Sequence, residues 1–169
     1  MRDCETCSAC CKVTRVRELD KPAGKWCQHC EPGGRGCTIY ETRFEVCKTY
    51  KCFWLTDTTV LPNDARPDRS KIMFDLQPPG DSGLPGFVRA FELTIGAAQS
   101  NSGRKLVQQF LRRGKVVVTF PPNNSPGLMI FPPRQLQHVR EQGIREGALF
   151  PTRDPDVFRF APGLISPDS

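Results

Sequence analysis

Nine cysteines are the side chains in this sequence whose type and spacing are best suited to chemistry. All of them fall within the first 52 of 169 residues, at Cys4, Cys7, Cys10, Cys11, Cys27, Cys30, Cys37, Cys47 and Cys52. The spacing C-x2-C occurs from Cys4 to Cys7, from Cys7 to Cys10 and from Cys27 to Cys30. Two intervening residues allow a tight turn to direct both sulfurs at one ion, at about 2.3 Å for zinc. We therefore predict that all nine thiols are candidate metal ligands.

Clustered cysteines have two other ordinary explanations, a disulfide framework and burial as small apolar side chains. A disulfide framework usually has an even number of cysteines and an oxidising compartment. Here the number is odd, and no apolar export segment follows Met1. Burial explains one cysteine more easily than nine at repeated short spacings. A redox pair of the thioredoxin type needs a βαβ pattern around it, which this sequence does not show.

The adjacent pair Cys10 and Cys11 bears on the number of sites. Neighbouring side chains diverge, so we expect the two thiols to serve two ions or one multinuclear cluster. Nine thiols suit two four-thiolate sites with one cysteine left over, and Cys4 is our candidate for the extra one because chain ends fray. We expect His29 to be a solvated loop residue rather than a nitrogen ligand that takes the place of a thiolate.

The identity of the metal stays open between zinc and iron, because soft thiolates suit both. Residues 4–11 partly resemble a ferredoxin cluster motif, but they lack its x3 gap and its following proline. No partner cofactor or redox motif appears elsewhere in the chain. We therefore predict zinc, with iron or an iron–sulfur cluster as the alternative.

Residues 4–55 resemble a bacterial family of cysteine-cluster proteins with a CxxCxxCC motif, the YkgJ-like family, described as zinc- or iron-chelating. The segments that carry the resemblance are CETCSACC at 4–11, ELDKPAG at 18–24, WCQHC at 26–30, GCTIYETR at 36–43 and CKTYKCFWL at 47–55. The chain departs from the family pattern at Phe44, where the family usually has proline. The resemblance implies metal chelation and a bacterial source, and it implies no established reaction.

Composition and charge narrow the function further. The formal net charge is +6, from 24 Lys+Arg and 18 Asp+Glu. Two tetrathiolate zinc sites would add eight negative and four positive charges, a change of −4, which leaves about +2. This weakens the third hypothesis, a zinc-dependent nucleic-acid-binding module. No pair of acid–base residues or nucleophile indicates an enzyme, and no apolar run is long enough for a membrane span. We expect a cytoplasmic protein whose partners are metal ions, with any protein partner unidentified.

The remaining chain predicts an α+β fold, in which a metal-stapled N-terminal lobe packs on a small antiparallel sheet of about four strands with one main helix. We divide it into a cysteine-cluster segment at 1–56, an α+β part at 57–150 and a Pro-rich tail at 151–169. We predict strands at 71–76, 87–95, 115–120 and 128–131, and helices at 97–113 and about 133–141. Asp75 is expected to be an ordinary turn carboxylate. We expect five aromatic residues to form a hydrophobic shell around the metal site rather than a stacking platform for bases, namely Trp26, Tyr40, Phe44, Phe53 and Trp54.

Overall fold

A computed structural model describes residues 2–4, 6–31, 36–79, 86–122, 125–133 and 135–165. Within these ranges the α-helices are α1 (Ala9–Val13), α2 (Glu45–Thr49), α3 (Phe53–Thr56), α4 (Pro67–Ser70), α5 (Asn101–Leu111) and α6 (Gln137–Arg145). The strands are β1 (Ile72–Gln77), β2 (Phe87–Glu92), β3 (Val117–Phe120), β4 (Leu128–Ile130), β5 (Leu149–Pro151) and β6 (Val157–Phe160). The fold is therefore α+β, as predicted. None of the described helices has the length and apolar character that crossing a membrane requires.

All six strands form one sheet in the order β1-β2-β3-β4-β6-β5. The pair β2 and β3 is parallel, with Val88 opposite Val117, and the other pairs are antiparallel. Parallel neighbours need a crossover connection, and α5 lies in the connection between β2 and β3. The prediction of about four strands, all antiparallel, is therefore wrong. The predicted hairpin between 115–120 and 128–131 is confirmed as β3 and β4, although Asn123 and Asn124 of its turn lie outside the described residues.

The C-terminal segment also departs from prediction, because part of the expected Pro-rich tail belongs to the sheet. Strand β6 pairs with both β4 and β5, and it places Phe158 in the core at 5% exposure. Pro151 ends β5 at the edge of the sheet, where the missing N–H of proline is tolerated. The high proline content therefore led to the prediction of a tail where the chain forms the short strand β6.

The main core lies between α5 and the first three strands. The apolar face of α5 is buried against Phe74 of β1, whose ring centroid lies 4.9 Å from that of Phe110. Ser100 is the N-cap of α5, and its side chain accepts a hydrogen bond from the Gly103 N–H at 3.0 Å. The predicted helix at 97–113 is thus confirmed, with a short 3-10 turn at Ala97–Gln99 before α5.

The cysteine-rich segment is joined to this core by two short helices. Ala9 and Val13 of α1 pack against Met73, Phe91 and Leu93. Trp54 of α3 is buried in the main core and donates its indole N–H to the Pro62 carbonyl oxygen at 3.2 Å. Among the described residues between 17 and 49, no hydrophobic side chain is buried. The intervening loops therefore lack an apolar core of their own.

Candidate functional site

An open cavity of about 650 Å³ lies among the cysteines. Its lining includes seven of them, namely Cys4, Cys7, Cys10, Cys11, Cys27, Cys37 and Cys47. All nine cysteines of the chain are free thiols, and all are partly buried. In the part of the chain that the structure describes, no three His, Cys, Asp or Glu side chains are close enough together to make a ready ion site.

One group of thiols lies next to the sheet. A turn joins Cys4 to Cys7, in which the Cys7 N–H donates to the Cys4 carbonyl oxygen at 2.6 Å. Cys52, the residue before α3, is close enough to both for their charges to act on it. Burial is the main cause that raises the pKa of Cys52 to about 11, and it also raises the pKa values of Cys4 and Cys7. We call these three residues, with Cys10, the sheet-side group.

Cys10 and Cys11 occupy consecutive positions of α1, so their side chains leave the helix in different directions. Cys10 packs with Cys7 and Cys52 against the apolar cluster around Met73. The pKa of Cys11 is raised, first by a hydrogen bond with the Cys10 thiol and then by burial, and a hydrogen bond with Cys30 opposes this. The Cys11 thiol therefore contacts both Cys10 and Cys30, and whether the adjacent pair serves two ions or one cluster stays a prediction.

The second group comes from loops and from α2, and we call Cys11, Cys27, Cys30, Cys37 and Cys47 the loop-side group. A turn joins Cys27 to Cys30, with the Cys30 N–H donating to the Cys27 carbonyl oxygen at 3.0 Å, and Cys30 forms a β-bridge with Cys37. The Cys27 N–H donates to the Cys11 carbonyl oxygen at 2.9 Å, which fixes this loop to α1. Burial and the charges of Cys11, Cys27 and Cys37 raise the pKa of Cys47. The five thiols of this group thus come from four separate chain segments and interact electrostatically with one another.

The opposite wall of the cavity contains groups that the sequence analysis did not select. Asp75 is in β1 rather than in a turn, and its carboxylate accepts a hydrogen bond from Arg89 of β2 at 2.6 Å, so the prediction for Asp75 is wrong. The Tyr50 hydroxyl donates to Met73 Sδ at 3.6 Å, and burial raises the pKa of Tyr50. Alternation along β1 was the available signal for Asp75, but its pairing with Arg89 depends on strand register. Partly buried polar side chains therefore line the cavity together with the thiols.

The aromatic residues do not form the predicted shell. Trp26 and Tyr40 are 48% and 45% exposed, so they cannot exclude water from the thiols. The Tyr40 ring instead stacks with the Arg43 guanidinium, whose central carbon lies 3.8 Å from the ring centroid. Phe53 and Trp54 belong to the main core. His29 lines the cavity near Phe44, with ring centroids 6.4 Å apart, and its role as solvated loop or ligand stays a prediction.

The first described residues are firmly attached, which bears on Cys4. The Arg2 guanidinium donates to Asn63 Oδ1 and to the carbonyl oxygens of Trp54, Asp57 and Leu61. The reason given for leaving Cys4 without a metal, a frayed chain end, therefore does not hold. Because the loop-side group has five thiols and the sheet-side group four, we expect the extra cysteine in the loop-side group.

No family model, no curated protein and no solved structure matches this chain. The resemblance to the cysteine-cluster family accordingly stays a prediction.

Proposed function

We propose that this protein binds metal ions through its clustered cysteine thiolates. The observation that carries the proposal is that seven of the nine cysteines line one cavity although they come from separate loops and helices, and that the charges of lining thiols act on the other two, Cys30 and Cys52. Thiols at this density, with no disulfides between them, are chemically suited to soft or borderline cations. The bound ions would serve as structural staples of the lobe or as cargo in metal handling.

The donor set fits two sites. The sheet-side group supplies four thiolates, from Cys4, Cys7, Cys10 and Cys52, which is the usual number for a closed structural zinc site. The loop-side group supplies the other four from its five members. Burial raises the pKa values of Cys4, Cys47 and Cys52, so these three thiols favour the protonated form in the metal-free cavity. A cation that binds must displace those protons, and it would draw the sulfurs closer together as it does so.

We propose zinc as the ion, with an iron–sulfur cluster as the alternative. Zinc supplies no redox chemistry, which agrees with the lack of a recognisable redox motif elsewhere in the sequence. The cavity of about 650 Å³ favours the alternative, because it is far larger than a single ion needs. Colour separates the two: an anaerobically purified brown protein would contradict zinc, and a colourless protein with stoichiometric zinc would contradict the cluster.

Paired variants test the two-site arrangement. We expect elemental analysis of the anaerobically purified protein to give two zinc ions per chain. The double variants C7S/C52S and C27S/C47S should each lose one ion and retain the other. The variant T49S, altered on the same helix as Cys47, should retain both ions. Wild-type protein without metal would overturn the proposal, and complete metal loss in both double variants would overturn the two separate sites.

A further inference from the structure

A buried ammonium lies beside α1, where it bonds to the carbonyl oxygen of the residue after Cys11, and it has no carboxylate partner within the described residues. Lys21 is only 6% exposed, and no other lysine in the described ranges is buried. It follows Asp20, whose left-handed backbone (φ 47°) closes a turn, and its N–H and C=O both pair with Val16. The backbone thus directs this side chain inward.

The ammonium is held by backbone oxygens alone. Lys21 Nζ donates to the carbonyl oxygens of Lys12 at 3.3 Å, of Pro22 at 3.1 Å and of Thr14. Three acceptors use the three donors of an ammonium group, which fixes its position. No acidic side chain forms an ion pair with it in the described part of the chain. A buried charge without a counter-charge is costly, so the surroundings should supply anions.

The anions available are cysteine thiolates. The groups whose charges favour the charged form of Lys21 are Cys27, Cys11, Cys10 and Cys47 in that order, and burial opposes them by lowering the pKa of Lys21. Three of these four belong to the loop-side group. In return, the positive charge of Lys21 favours the thiolate of Cys11. Because the ammonium is buried, salt screens its effect far less than that of a surface lysine.

We propose that Lys21 is the fixed counter-cation of the loop-side metal site, a positioning residue that strengthens metal binding by offsetting ligand charge. The inference rests on the proposed function. Four thiolates and one divalent ion leave a net charge of −2, and Lys21 would reduce it to −1. It would do so without contributing a ligand or reaching solvent.

The test uses the C7S/C52S variant as the parent protein. Two sheet-side thiols are removed in it, so the measured metal binding is that of the loop-side site alone. Affinity for Co²⁺ is measured by competition with a chromogenic chelator at constant pH. K21Q keeps hydrogen-bond donors but removes the positive charge. K21M removes the donors and the charge, and K21R keeps the donors and the charge. The matched control is K25Q, because Lys25 is exposed in the same loop. Far-UV circular dichroism checks that each variant folds.

We expect K21Q and K21M to weaken Co²⁺ binding about tenfold, because the site loses the buried positive charge that offsets the charge of its ligands. K21R should restore most of the affinity, and K25Q should leave it unchanged. If K21Q binds Co²⁺ as tightly as the parent, hydrogen bonding rather than charge explains the role of Lys21, and the proposal is overturned. If K21R weakens binding as much as K21Q does, the fit of the lysine side chain rather than its charge matters, and the proposal is again overturned. If the C7S/C52S parent and wild type bind no metal, the proposed function fails, and this inference with it. If the parent binds and K21Q matches it, only the inference fails.

Discussion

At the scale of single residues, Arg2 donates from its guanidinium to four acceptors between Trp54 and Asn63. Its guanidinium spans the carbonyl oxygens at the end of α3 and in the following loop, and it lies 4.9 Å from the centroid of the Trp54 ring. Removing it leaves three partly buried carbonyl oxygens without this donor. Arg2 therefore ties the residues beside Cys4 to the main core.

We predict that R2M lowers the free energy of unfolding by about 1–3 kcal/mol, because several hydrogen bonds and a cation–π contact are lost together. The matched variant R17M, at an exposed position, should change it by less than about 0.5 kcal/mol. Urea unfolding under reducing conditions measures both. Equal effects of the two substitutions would show that Arg2 is not an anchor.

The raised pKa values of the thiols predict a pH dependence for the metal-free protein. A thiol with a pKa near 9.0 when unfolded and about 11 when folded, as for Cys52, stabilises the fold below pH 9. That stability is lost as the pH rises through the folded value. The raised pKa of Tyr50 also makes the fold less stable as the pH rises, whereas the lowered pKa of Lys21 makes it more stable as the pH rises. Since six thiols have raised values against one ammonium, the thiols should dominate.

We therefore expect the melting temperature of the metal-free, reduced protein to fall between pH 9 and pH 11. Differential scanning calorimetry with chelator and reductant present measures it. A melting temperature that stays constant or rises over this range would contradict burial of the protonated thiols.

At the scale of elements, the close contact between α5 and the turn before it limits what Gly103 can be replaced by. A Cβ atom at Gly103 would lie 1.9 Å from the Ala97 carbonyl oxygen, which is backbone and cannot rotate away. The same glycine N–H is the one that Ser100 caps. Packing of α5 onto the sheet therefore depends on the missing side chain.

We predict that G103A destabilises the protein by about 2–3 kcal/mol, because overpacking outweighs the helix propensity that alanine adds. Q108A, at an exposed position of the same helix, should have an effect below about 0.5 kcal/mol. Thermal unfolding of both variants is the measurement. A stabilised G103A would mean that the turn moves freely relative to the helix.

The elements also show what could be predicted from the sequence. Periodic apolar residues predicted α5, and short runs of strand-forming residues between turns predicted β1, β2 and the β3–β4 hairpin, because those patterns are local. The parallel pairing of β2 with β3 depends on where α5 returns the chain, which local patterns do not contain. Strand β6 was missed because Val157–Phe160 is short and lies among prolines.

At the scale of the whole molecule, stability is unevenly distributed. The described residues between 17 and 49 bury no hydrophobic side chain, whereas α1, α3 and the sheet supply the buried apolar residues on either side. The sequence predicts metal-dependent folding of the first 55 residues on the same ground, lack of an apolar core. The structure narrows this prediction to the loops and α2.

We predict that chelation unfolds residues 17–49 while the sheet stays folded, because only the loops depend on metal for their order. Hydrogen–deuterium exchange followed by mass spectrometry should show fast exchange there after chelation and unchanged protection in β1 to β4. Unchanged protection at 17–49 after complete metal removal would contradict a structural role for the ions.

Seven of the nine cysteines that were selected by type and spacing line one cavity, and their role as metal ligands stays a prediction. Their division into two groups follows in part from the adjacency of Cys10 and Cys11. The position of Lys21 could not be predicted, because it depends on the turn that pairs Lys21 with Val16. The pairing of Asp75 with Arg89 could not be predicted either, because it depends on strand register.

The most direct test of thiolate metal binding is X-ray absorption at the metal edge on anaerobically purified wild-type protein. The account predicts zinc surrounded by four sulfur atoms at about 2.3 Å. Bound metal with only oxygen or nitrogen neighbours, or a freshly prepared protein in which the cysteines are joined as disulfides and hold no metal, would contradict it.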